Sequence, residues 1–161
     1  MEIVKVVNEG YHYQRDLRNL IFYVTDAKKT GGMFFGIGVN PYHPQMMFDQ
    51  MIAVKKAYGK EADGLRQVRH IIVGFQDQKV TSDLAFRVGY DIAGFYAGRY
   101  QVIYGIHQNT DNLHIHFLIN SVSYMDGRMF SGGWTELADF KYHVRNVLIK
   151  YGIVEMMLDD L

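Results

Sequence analysis

The segment YQVIYGIHQNTDNLHIHFLINSV, residues 100–122, carries the decisive pattern. Residues 100–107 and 113–122 are rich in β-branched and aromatic side chains, and the polar run Gln108 to Asn112 separates them. Two such runs around a short polar loop predict an antiparallel hairpin. His114 and His116 stand two apart on the second strand, so they share one face. Ile115 and Phe117 then turn the other way, into a core. His107 ends the first strand, and the hairpin folds it back beside the pair. Three imidazoles thereby gather on one face at metal-binding distance.

Working outward, residues 2–7 read as a short strand in which Ile3 opposes Val4 and Val6. Leu17, Leu20, Ile21 and Val24 recur at helical spacing and predict a helix over residues 15–25. Lys28 to Gly32 reads as a flexible loop that ends it. Residues 34–39 read as strand and 45–58 as helix, with Phe48, Met51, Ile52 and Ala53 apolar and Gly59 as its stop. A strand over residues 66–75 contains His70 to Val73. Thr81 or Ser82 caps the next helix, whose buried stripe is Leu84, Val88, Ile92 and Phe95 or Tyr96, and Gly98 closes it. Met125-Asp126-Gly127 is a turn. Thr135 caps a last helix reaching about Tyr151, with Leu137, Val144, Val147 and Leu148 as core. Strands interrupted by helices, with at least one antiparallel pair, predict an α+β fold: a central antiparallel sheet with helices packed on it.

The chain has 161 residues, 48% of them apolar, with twelve Tyr and ten Phe. That is one domain's worth of packed core over residues 1–161, with no repeat or linker to divide it. The absence of Cys excludes disulfides and thiolate metal sites and suits a cytoplasmic protein. No run of about 18 apolar residues is present, so no membrane partner is expected. The N-terminus lacks the pattern of a signal peptide. Seventeen basic residues balance seventeen acidic ones. A nucleic-acid partner must therefore be met by local basic patches: Lys28 with Lys29, Lys55 with Lys56 and Lys60, or Arg66 with Arg69.

Three neutral histidines form a strong site for a divalent metal, and three protein ligands leave open the positions that a catalytic ion needs. The chemistry such an ion serves is polarisation of a phosphate oxygen. A structural zinc site would prefer a fourth protein ligand, and no Cys can supply it. Asp111 is either an acceptor that orients one imidazole or a plain turn residue. Asn120, four residues after His116 on the same strand face, either lines the site or caps an edge.

These residues resemble a known family. The run from His107 to Val122, followed by Asp126-Gly127-Arg128, is similar to the three-histidine (HUH) motif of plasmid and integrative-element relaxases, the mobilisation nucleases. Leu20-Ile21-Phe22-Tyr23-Val24-Thr25-Asp26-Ala27-Lys28-Lys29-Thr30 resembles the family's first motif. That motif carries a nucleophilic tyrosine near the end of the first helix and closes on Lys-Thr. Asp26-Ala27 stands where Asn-Pro is commoner. Arg69-His70-Ile71-Ile72-Val73-Gly74-Phe75 resembles the family's Ser-Phe strand, with Gly74 in the Ser position. The resemblance covers roughly residues 14–153.

The resemblance implies an HUH endonuclease fold and a metal-dependent nickase of one DNA strand at a transfer origin, initiating conjugative mobilisation. It implies Mg or Mn as the divalent ion, with Zn as a third option. Its implied partners are single-stranded DNA and accessory mobilisation and coupling proteins. Relatives usually carry a further C-terminal region, which residues 1–161 lack. Tyr23 would be the catalytic nucleophile, forming a 5′-phosphotyrosyl intermediate. His107, His114 and His116 would hold the metal, which helps a phenol that is a poor nucleophile at neutral pH. His70 would be a supporting or DNA-facing residue, and Lys28, Lys29, Thr30 and Arg69 would contact DNA. Tyr11 and Tyr13 are rival nucleophiles that match no family motif. His12, His43 and His143 read as surface residues. Three other functions compete: a replication initiator or transposase using Tyr142 or Tyr151, a DNA-binding module without turnover, and a histidine metallohydrolase of small phosphoesters.

Overall fold

The computed structural model describes residues 4–76 and 79–153. In chain order its elements are β1 (Val4–Val6), α1 (Gln14–Val24), α2 (Ala27–Thr30), β2 (Phe34–Ile37), α3 (Pro44–Ala57), β3 (Val68–Gly74), α4 (Ser82–Ala97), β4 (Val102–His107), β5 (His114–Asn120) and α5 (Trp134–Lys150). The strands form one sheet in the order β1-β3-β5-β4-β2. Every neighbouring pair is antiparallel. The α+β expectation therefore holds, and the strand richest in histidine lies at the sheet's centre. Ile3 lies outside the described residues.

The period of two along each strand sorts side chains to two cores. Ile71, Val73, Tyr104, Ile106, Ile115, Phe117 and Ile119 pack against α4 and α5. Val68, Ile103 and Leu118 face the other way, where α1 supplies Leu17, Leu20, Ile21 and Val24 and α3 supplies Met47, Met51 and Ile52. Helices thus cover both faces. His107 and His116 belong to the α1/α3 face, against the end of α1.

Several local expectations are corrected. Lys28 to Thr30 is a helical turn rather than a loop: the Asp26 carboxylate accepts from the Lys28 N–H, and Gly31 closes the turn at φ +60°. An aspartate immediately before a helical turn acts as its N-cap. In α3, Ala53 faces solvent and Phe48 is half-buried, while Met47 and Lys55 are buried. The charge of Lys55 hid that stripe. Its ammonium lies wholly inside, donating to the Gln67 carbonyl and the Ser121 hydroxyl, both at 2.7 Å.

In α4 the sheet-facing residues include Ala85, Gly89 and Ala93, and Leu84 and Phe95 sit on the flank. Small residues let this helix lie close to the sheet. A Cβ on Gly89 would come within 2.8 Å of the Tyr104 ring. Thr135 lies inside α5, whose N-cap is Gly133. Phe140 takes the core place expected of Leu137, which is half-buried.

Candidate metal centre

The hairpin of β4 and β5 places His107 directly opposite His114, and Gly105 opposite His116. One ring nitrogen from each of His107, His114 and His116 lies within 4.8 Å of the others. The rings of His107 and His116 are 4.0 Å apart, those of His114 and His116 5.1 Å.

The second nitrogen of each ring is already engaged. His107 Nε2 lies 3.1 Å from the Val24 carbonyl at the end of α1. His114 Nδ1 lies 3.1 Å from the Asn112 carbonyl and 3.5 Å from the Thr110 hydroxyl. His116 Nδ1 lies 2.8 Å from His70 Nε2. A carbonyl can only accept, so His107 and His114 carry protons on the nitrogens that face carbonyls. Their remaining nitrogens, Nδ1 of His107 and Nε2 of His114, keep free lone pairs. His116 Nε2 is buried without a hydrogen-bond partner. A buried, unpaired ring nitrogen is costly unless a ligand satisfies it.

Burial holds His70, His107 and His116 neutral. Desolvation pushes His107 and His70 down to about 4 and His116 lower still, with the neighbouring histidines adding to the effect. Neutral imidazole is the ligating form. The donor set therefore fits a divalent ion, with three nitrogens pointing inward and three oriented from behind.

Tyr23 comes to the same place from α1. Its ring is edge-on to His107 at 5.2 Å and to His116 at 5.6 Å. It is 44% exposed. This residue lies one step to the side of the buried stripe of α1, so the helix end that seats Val24 on the sheet holds Tyr23 beside the histidines. Gly105 makes that seat possible. A Cβ there would sit 2.2 Å from the Val24 carbonyl oxygen. Tyr23, His70 and His116 line an open cleft of about 590 Å³ together with Tyr11, Asn19 and Leu20.

Other expected site residues fall elsewhere. Lys29 stands over the Tyr23 ring, 5.4 Å from its centroid, and Lys28 is exposed on the same turn. Thr30 is buried, and its hydroxyl donates to the Asp26 carbonyl inside α2, so it is not free for DNA. Arg69 is on the opposite face of the sheet from His70, because adjacent strand residues point oppositely. It pairs with Glu136 at 3.2 Å and stacks on Phe130. Asp111 is exposed in the hairpin loop, and the Asn112 carbonyl takes the orienting place considered for it.

Asn120 is about 13 Å along the strand from His116, at about 3.3 Å per residue. Fully buried, it donates to the Met51 carbonyl and the Gln101 side chain, joining α3 to the sheet rather than lining the site. Lys55 and Lys60 are spent on internal acceptors, so that basic cluster is no phosphate patch. His12 is exposed, His43 caps α3, and His143 is half-buried against the Asp91 carbonyl.

Sequence reading missed Tyr11 and Gly105. A glycine in a strand two residues before a ligand is a signal of close backbone approach. Tyr11 gave none, since its partner His70 is 59 residues away.

The chain thus sets three clustered histidines on the central hairpin of an antiparallel sheet, with a tyrosine of the first helix beside them. The chain belongs to the relaxase family, matching the model of the MobA/VirD2-like nuclease domain over residues 23–153. Protein rlx of Staphylococcus aureus is 27% identical over 101 residues, 63% of this chain. The matched part covers 30% of that relative's length. Among the described residues no helix is long and apolar enough to cross a membrane.

Proposed function

We propose that this chain is a metal-dependent, site- and strand-specific single-strand DNA endonuclease that nicks a plasmid or integrative-element transfer origin and so initiates conjugative mobilisation. The observation that carries this reading is the position of Tyr23, half-exposed on a cleft with its ring beside two of the three clustered histidines. His107 Nδ1, His114 Nε2 and His116 Nε2 would hold the ion, Mg or Mn by family habit. When bound, it neutralises charge developing on the scissile phosphate.

The rest falls to the chain's own groups. The Tyr23 phenolic oxygen attacks phosphorus, forming a 5′-phosphotyrosyl bond as the bond to the 3′ oxygen breaks. The phenolic proton passes to solvent, and the departing 3′ oxygen leaves as a hydroxyl. Lys29, above the Tyr23 ring, brings positive charge to the place the phosphate must occupy, with Lys28 on the strand's path. His70 supports His116 from behind. Exchange of one phosphodiester for another conserves its energy, so the joint can reverse.

The same reading makes residues 1–161 one catalytic domain acting in the cytoplasm on single-stranded DNA, alongside accessory mobilisation and coupling proteins. The initiator or transposase reading is less well supported. Tyr142 and Tyr151 belong to the α5 end of the chain, and α5 packs its core residues on the sheet face opposite the histidines. Tyr151 also donates its hydroxyl to Asp91.

The test is incubation with Mn²⁺ and a pool of single-stranded oligonucleotides, followed by mass spectrometry of tryptic peptides. The expected product is a nucleotide adduct on Tyr23, absent in His114→Ala. An adduct on Tyr142 or Tyr151 would transfer the protein to the initiator reading. Metal binding without any adduct would leave a DNA-binding module.

A further inference from the structure

Behind the three histidines runs a line of polar groups that the nicking reading leaves unused. His116 Nδ1 meets His70 Nε2 at 2.8 Å, and His70 Nδ1 meets the Tyr11 hydroxyl at 3.1 Å. Both His70 and His116 are buried, so water does not compete for these bonds.

The direction of the line follows from its inner end. If His116 Nε2 gives its lone pair to a metal, the single ring proton of this neutral imidazole sits on Nδ1. That N–H donates to His70 Nε2, which must then be an unprotonated acceptor. The His70 proton is thereby placed on Nδ1, where only the Tyr11 oxygen faces it. Tyr11 accepts, and its own O–H is turned outward to the Glu9 carboxylate. Burial and Glu9 together push the Tyr11 hydroxyl up to about 12, so its proton stays on.

The backbone agrees that this placement matters. Tyr11 sits at φ +39°, alone in the left-handed region among the described residues that are not glycine. A bulky side chain in that region is strained and persists only where surrounding contacts over-determine it. Here the Tyr11 carbonyl accepts from the Gln67 N–H at 2.9 Å, and the next carbonyl, of His12, accepts from Gly64 at 2.7 Å. The strained turn aims the ring at His70 rather than into solvent.

We propose that Tyr11 is a positioning residue of the metal centre: its hydroxyl fixes the tautomer of His70, which fixes that of His116, with Glu9 closing the line. The proposal rests on reading the histidine cluster as a metal site. It also explains why Tyr11, which lines the same cleft as Tyr23, is not a second nucleophile. Its oxygen is committed to His70, and a carboxylate stands beside it.

The test is titration of the intact protein with Mn²⁺ and with Zn²⁺ by calorimetry, alongside nitrogen-15 spectra of the histidine rings in the zinc-loaded protein. His114→Ala abolishes or severely weakens binding if the cluster is the site; if it binds as wild type does, the metal-centre reading fails, and this proposal with it. Given wild-type binding, Tyr11→Phe weakens affinity by about 10- to 100-fold, the usual cost of losing a group that orients a ligand. Glu9→Gln, at an exposed position, weakens it less and cannot unfold the chain. In the spectra, wild-type His70 is protonated on Nδ1, and Tyr11→Phe redistributes that proton between the two nitrogens. Unchanged affinity in both variants, or a wild-type His70 protonated on Nε2, overturns the proposal.

Discussion

The Tyr23 ring meets the His107 ring edge-on, 5.2 Å between centroids, because the carbonyl of Val24 rests on Gly105 and bonds the His107 imidazole. One contact between α1 and β4 therefore sets both the height of Tyr23 and the tautomer of His107. Gly105→Ala would drive a methyl into the Val24 carbonyl and lift the end of α1. The expected result is a stability loss of about 1–3 kcal/mol, as for other overpacked sites. Adduct formation should fall by roughly 100-fold, the scale of an ångström's misplacement. Thermal melts and the Tyr23 adduct assay read the two effects separately.

Tyr23→Phe removes the oxygen proposed to attack and leaves the three clustered histidines in place. The adduct should vanish while calorimetric affinity for Mn²⁺ stays within about twofold of wild type. A large loss of metal affinity would mean that the phenol itself belongs to the ion's surroundings.

Lys29 and Arg69 offer a direct contrast between the two faces of the sheet. Lys29→Ala should weaken binding of single-stranded DNA and lower the slope of log affinity against log salt by about 0.7, one phosphate contact. Arg69→Met should leave both unchanged, since Arg69 is paired with Glu136 on the far face. It should instead lower the melting temperature, because Glu136 would lose its ionic partner.

Lys55 makes stability depend on pH in an unusual direction. Burial lowers its amine from 10.5 to about 7 in the folded chain. Between those values the unfolded chain holds a proton that the folded chain does not, so stability rises with pH. The contribution is complete above the unfolded value and is lost as pH falls through about 7. Denaturant titrations between about pH 7.5 and 9.5 should show a slope approaching about 1.4 kcal/mol per pH unit. Lys55→Met should flatten it. A wild-type curve without slope would show that the amine stays charged inside.

What the sequence made legible was whatever depends on local period. The hairpin, the alternation that gathers His107, His114 and His116, and the buried stripe of α1 all follow from spacing. Tyr23 was legible through its motif rather than through physics. The same alternation turns Arg69 away from His70, to the opposite face. Lys55, Asn120 and Tyr11 were misread for another reason. Each is defined by a partner far along the chain: Ser121, Met51 and His70 respectively. No window around the residue contains that information.

The strand order also divides the molecule by how it can open. β5 is paired on both sides along its length, whereas β1 and β2 are edges of three and four residues. Amide protons of His114 to Asn120 should exchange with deuterated solvent only when the whole domain unfolds, and those of β1 and β2 by fraying that costs far less. The histidine-bearing hairpin is then the last part of the protein to come apart. The edge beside Lys5 and Tyr11 can open while the three imidazoles hold their places.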